Sequence, residues 1–135
     1  MLELKNITYQ PQTGIKRILN DISIKIEKNE IILIIGKSGS GKTTLLEIIS
    51  GLIEPQQGKI LWQNKKVNSR QRRWLCGIVF QFPERFFIGS TIGKELKFGF
   101  KSMRDNKIKN VLNIVGLNNI DLRLTPEKLS GGQQR

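Results

Sequence analysis

The sequence predicts an α/β fold, and three observations predict it. A run of five aliphatics, Ile31-Ile32-Leu33-Ile34-Ile35, has the continuous apolar character of a strand covered on both faces, as in a parallel sheet between helices. A glycine-rich loop from Gly36 to Gly41 follows at once, and behind it Leu45, Leu46, Ile48, Ile49 and Leu52 recur with helical spacing. Before the run, residues 2–26 read as short strands and turns with loosely alternating apolar positions.

Taken in order, Leu2, Leu4, Ile7 and Tyr9 alternate loosely up to a turn at Pro11-Gln12-Thr13-Gly14. From Ile18 to Ile26 the alternation is cleaner, with Ile22, Ile24 and Ile26 on one face and Ser23 and Lys25 on the other. Lys28-Asn29-Glu30 turns the chain into Ile31–Ile35, and the helix behind the glycine loop stops at Gly51 with Pro55 beyond. Gly58–Trp62 and Gly77–Phe80 read as further strands, separated by a basic connector from Lys65 to Arg73. After Phe82-Pro83-Glu84 the character becomes helical. Thr91 starts one helix through Ile92, Leu96 and Phe98, with Gly93 as a weak point. Asp105 is expected to cap a second, in which Ile108, Val111, Leu112 and Val115 share a face and which Gly116 ends. A loop containing Pro126 leads to Leu129-Ser130-Gly131-Gly132-Gln133-Gln134-Arg135.

Composition narrows the chemistry. The 135 residues contain no histidine and a single cysteine, Cys76. No Ser–His–Asp triad, His–Cys zinc site or internal disulfide can be assembled from them. Cys76 borders an expected buried strand and reads as packing. No apolar run approaches the ~20 residues of a membrane helix, and Met1-Leu2-Glu3-Leu4-Lys5-Asn6 lacks the pattern of a secretory signal. The 23 Lys plus Arg against 11 Asp plus Glu give a net charge of +12, which invites an anionic partner. The cluster Lys65, Lys66, Arg70, Arg72 and Arg73 lacks stacking aromatics beyond Trp74, so a solvated face is the better reading of it than a nucleic-acid grip.

Residues Gly36-Lys37-Ser38-Gly39-Ser40-Gly41-Lys42-Thr43 satisfy the phosphate-loop pattern G-x-x-x-x-G-K-[ST], with Thr44 next in line. A polyphosphate needs several backbone N–H donors converging on one concavity, and glycines allow the bend. The following helix contributes its positive end. Lys42 is expected to reach the β- and γ-phosphates, and Thr43 to offer its hydroxyl to Mg²⁺.

Leu129-Ser130-Gly131-Gly132-Gln133 read alone is an ordinary turn. Paired with the upstream phosphate loop, it resembles the signature motif of ABC (ATP-binding cassette) ATPases. The resemblance covers the whole chain. It implies a phosphate-loop nucleotidase fold with an amino-terminal antiparallel β subdomain (1–30), a parallel core through the Q-loop (31–83) and a helical subdomain ending in the signature (84–135). It assigns Tyr9, otherwise a plain β-face aromatic, to stacking on adenine, and Gln81 to the Q-loop, where it serves the metal and coupling. Phe80-Gln81-Phe82-Pro83-Glu84, with Ile88, Thr91-Ile92, Glu95-Leu96 and Phe98-Gly99, is similar to the ATPases of energy-coupling-factor and cobalt or nickel importers. Arg85-Phe86-Phe87 and Phe100 depart from their commonest pattern.

The cofactors implied are ATP and Mg²⁺. The partners implied are a transmembrane subunit and a second, head-to-tail ATPase protomer whose nucleotide the signature touches, at the cytoplasmic face of a membrane. In the family an Asp and a Glu on the Walker B strand and a switch histidine follow the signature. This sequence reaches Arg135 without them, so the expectation is a core lacking its carboxy-terminal part and no catalytic residue within the 135. Too few residues follow Gln133 for even one helical turn. Two other readings stay open: a nucleotide-binding fragment without activity, and a soluble ABC protein acting on nucleic acid or ribosomes.

Overall fold

Four strands form one antiparallel sheet in the order β2-β1-β3-β4 in the computed structural model: β1 Leu2–Tyr9, β2 Leu19–Ile26, β3 Gln57–Trp62 and β4 Lys65–Lys66. The structure describes residues 1–82, 85–100 and 103–134, so Pro83, Glu84 and Arg135 named above lie outside the described residues. The loose alternation of β1 has a local cause. Its register with β2 steps from Leu4↔Ile24 to Ile7↔Ile22, so a bulge lets Leu4 and Ile7, three residues apart, both enter the core. Asn6 and Asp21 face each other there at φ 53° and 55°, joined by an Asn6 Nδ2 to Asp21 Oδ1 bond of 2.7 Å.

Two helices belong to the same unit, Met1–Ile78: α1 Lys42–Ser50 and α2 Ser69–Leu75. Leu45 and Ile48 of α1 pack with Leu4, Ile7, Leu19, Ile60 and Val67, and the expected inner face of Ile22 and Ile24 lies against this core. Ile7 has no exposed surface. Ile7→Ala should therefore cost about 2–5 kcal/mol through lost burial and a residual cavity, read as a lowered denaturant midpoint with the slope unchanged.

Four sequence expectations need correction here. Ile31–Ile35 and Gly77–Phe80 are not strands. A strand exists by virtue of its ladder, and among the described residues neither segment has one. Ile31, Leu33 and Ile35 are consequently 96%, 79% and 83% exposed, while Ile34 still packs on the core. The parallel part of the predicted sheet is thus not formed among the described residues. The basic connector is also more ordered than expected. It contains β4 and then α2, opened by a reciprocal cap in which Gln71 N donates to Asn68 Oδ1 and Asn68 N to Gln71 Oε1. Cys76, at the end of α2, is half-buried and borders no strand.

Glu54 lies beside α2 and accepts from Ser69 N and from Arg72 Nη2. Partial burial pushes its carboxyl up, but these bonds and the Arg72 charge outweigh that and hold it below its usual value. A carboxylate depressed in the folded state stabilises above its unfolded pKa. That contribution disappears as pH falls through the lowered folded value. Acid unfolding should therefore have a component in the range below the ordinary glutamate pKa. In Glu54→Gln the stability–pH curve should be flatter there, measured by urea titration at successive pH values.

The second unit, Val79–Arg135, is helical. Helix α3, Ile92–Lys97, is capped by Thr91, whose Oγ1 accepts from Lys94 N. Gly93 does not interrupt it: its N–H donates to Leu122 O at 2.9 Å, and the absent side chain permits that approach. Helix α4, Asp105–Ile114, buries Ile108 and Leu112. Asp105 is its first residue, with Arg104 at the cap, so its carboxylate acts on the helix end field and on Lys97 at 2.7 Å. The last described residues form α5, Gly131–Gln134, a single turn where too few residues were expected.

Candidate phosphate-binding site

The glycine loop ends in a helix with an open N-terminus. Gly41, the N-cap of α1, sits at φ 90° and has no side chain with which to accept from the first turn, and no acidic residue occupies that turn. The leading N–H groups of a helix have no intrahelical partner, so those of Lys42, Thr43 and Thr44 are available to an anion. Lys42 Nζ folds back inside the loop and donates to the carbonyls of Gly36 and Lys37, each at 2.8 Å. Ser40 N closes the turn onto Lys37 O at 3.2 Å. Ser38, Gly39, Ser40 and Thr43 are exposed. The arrangement sets the open end of α1 beside a turn whose carbonyls hold the Lys42 ammonium. A polyphosphate fits that donor set, and the exposed Thr43 hydroxyl fits a hard cation such as Mg²⁺.

The floor of the loop comes from Ile18 and from Leu19, the first residue of β2. A Cβ on Gly41 would stand 2.7 Å from Ile18 Cγ2 and 3.0 Å from Leu19 Cδ2, so the loop backbone rests directly on these two residues. Leu19 pairs with Tyr9 across the ladder, and Ile18 N donates to Tyr9 O at 2.9 Å. Tyr9 is thereby one ladder step from the phosphate loop. It is half-buried and packed against the core. Sequence reasoning had no signal for Ile18 and Leu19 in this role, because the contact is between segments over twenty residues apart.

The remaining candidates lie in the second unit, among themselves. Gln81 is exposed near its start. Ser130 and Gln133 of the Leu129–Gln133 motif form a reciprocal cap: Ser130 N donates to Gln133 Oε1 at 2.9 Å, and Gln133 N to Ser130 Oγ at 3.4 Å. This closes α5 despite its brevity, and Gln134 Nε2 adds bonds to the carbonyls of Pro126 and Leu129, both at 3.2 Å. The S-x-x-Q spacing carries that signal in the sequence. Gly131 and Gly132 are exposed, with open space where side chains would be. Glu95 accepts from Ile88 N and Gly89 N, fastening the loop before α3.

Loop, uncapped helix and supporting antiparallel sheet define a protein of the phosphate-loop α/β class. Residues 19–135 match the ABC transporter family, and the chain belongs to that family. It is 36% identical over 149 residues to energy-coupling factor transporter ATP-binding protein EcfA2 of Clostridium tetani, covering 99% of this chain and 52% of that protein. It is 35% identical over 150 residues to the chloroplastic ABC transporter I family member 11 of Arabidopsis thaliana, covering 99% and 54%. Among solved structures, cbiO1 from Clostridium perfringens, part of the ABC transporter complex cbiONQ, superposes with a TM-score of 0.82 at 27% identity, covering 98% of this chain and 57% of that one. A dimeric bacterial ABC transporter cassette superposes at 0.76 with 28% identity, covering 99% and 65%. The chain spans about half the length of the curated relatives it matches.

Proposed function

We propose that the chain binds Mg-ATP at the phosphate loop, within an ATP-binding subunit that powers import of a vitamin or transition-metal ion. The carrying observation is Lys42 Nζ held on the Gly36 and Lys37 carbonyls at the uncapped end of α1. Gly36, Lys37, Ser38, Gly39, Ser40, Gly41 and Thr44 supply the cradle and Lys42 the charge. Thr43, with Gln81, holds Mg²⁺, and Tyr9 stacks on the base. Leu129, Ser130, Gly131, Gly132 and Gln133 contact nucleotide held by a second, head-to-tail protomer. The subdomains 1–30, 31–83 and 84–135 divide this work, and a transmembrane subunit receives it at the cytoplasmic face.

The importer reading draws on the energy-coupling factor and cbiO1 relatives. Calorimetric titration with Mg-ATP tests the binding, and saturable one-site heat is expected. A chain that is folded by circular dichroism and gives no heat overturns the reading.

A further inference from the structure

We propose that Arg72 is a positioning residue for the phosphate loop, acting through the far end of α1; this deepens the Mg-ATP reading and rests on it. Among the described residues Arg72 is the one buried charged side chain, 3% exposed. Its guanidinium donates through Nε to Ile48 O at 3.0 Å, through Nη1 to Val67 O at 3.2 Å, and through Nη2 to Ile53 O at 3.4 Å and Glu54 Oε2 at 2.9 Å. Arg73 Nη1 takes Gly51 O at 2.9 Å. The last carbonyls of α1 and the segment leaving it are thus gripped by two cations of α2.

The consequence follows from the shape of α1. Its nine residues make a rod about 13–14 Å long, with the phosphate donors at one end and Arg72 at the other. Whatever fixes one end of a short rigid helix sets where the other end points. The guanidinium also offsets the negative end of the helix dipole, leaving the positive end at the phosphate loop less opposed. Stability alone is a poor reason for burying this group. Desolvating a guanidinium is costly, and apolar replacements of buried ion pairs are often neutral or better. What a rigid fork of donors supplies that an apolar side chain cannot is a fixed geometry of the carbonyls it holds.

The test is Mg-ATP affinity by calorimetry for the wild-type chain, Arg72→Met, Arg72→Lys, Glu54→Gln and Ile60→Val, each at a temperature where melting shows it fully folded. Arg72→Met should weaken binding about tenfold, as expected for a shifted donor set. Arg72→Lys, which keeps the charge but loses the fork, should weaken binding about three- to fivefold, and Glu54→Gln about two- to threefold. Ile60→Val trims the sheet core on which α1 packs without touching the bonds of Arg72, and should lower the melting temperature while changing affinity less than Arg72→Met does. Folded Arg72→Met that binds like wild type overturns the inference, as do affinity losses that track melting temperature across all four variants. If Arg72→Met does not fold, Arg72→Lys and Glu54→Gln decide it, and wild-type affinity in both overturns it. A wild-type chain that is folded and binds no Mg-ATP overturns the nucleotide reading beneath it as well.

Discussion

Replacing Lys42 by alanine is expected to weaken Mg-ATP binding by about ten- to a hundredfold while leaving the unit's melting temperature within a few degrees of wild type. The two halves of that expectation have separate causes. The affinity loss follows from removing the ammonium held against the loop carbonyls beside the open end of α1. A charge-assisted bond to phosphate is worth about 1.5–3 kcal/mol, and each 1.4 kcal/mol is a factor of ten. The small effect on stability follows from what Lys42 does without ligand. Its Nζ bonds the Gly36 and Lys37 carbonyls in an exposed loop, where water replaces it. Lys42→Arg is an informative partner. It keeps the charge but replaces a compact three-donor head by a planar fork, so it should also bind less tightly than wild type. Calorimetry and thermal melts on the same samples read both quantities. Unchanged affinity in Lys42→Ala would remove Lys42 from the site, and a collapse of the melt would show it to be a structural residue.

That the glycine loop and the helix behind it were legible in the sequence while part of the sheet was not has a physical explanation. The phosphate loop is local. Eight consecutive residues set the bend, the charge and the helix end, so the pattern from Gly36 to Thr43 carries its chemistry without distant help. Helix α1 was equally readable, because its apolar stripe and the stop at Gly51 are also local. Strand character is different. Ile31–Ile35 has every intrinsic mark of a buried strand, yet pairing is a property of two segments, and among the described residues no second segment pairs with it. Helix α2 was missed for the opposite reason. Its charged surface hid a cap pair, Asn68 and Gln71, that the spacing did contain. Ser130 and Gln133 repeat that lesson at α5. Arg72 looked like one more solvated cation of a basic run, since burial cannot be read from residue type once a helix turns one position of the run inward.

Gly41→Ala should lower the stability of the first unit by about 2–5 kcal/mol and abolish measurable nucleotide binding with it. Two costs combine at this position. The first is conformational: at φ 90° a side chain is strained by about 1–3 kcal/mol. The second is steric. The new Cβ would meet Ile18 Cγ2 at 2.7 Å, Leu19 Cδ2 at 3.0 Å and the Ile18 carbonyl at 3.2 Å. Ile18 and Leu19 cannot retreat freely, because Leu19 is 5% exposed and paired with Tyr9 in the ladder. The loop must lift instead, and lifting it moves the N-terminus of α1 away from the position where its N–H groups converge. Gly39 separates the two costs. It lies at φ 78° with nothing within 4 Å of an added Cβ, so Gly39→Ala carries the conformational part alone, about 1 kcal/mol. For a unit of this size each kcal/mol shifts the melting temperature by about 4–8 °C, so the two variants should be well resolved in one scan. Equal melting temperatures would mean that Ile18 and Leu19 do not support the loop, and that φ alone confines Gly41 to glycine.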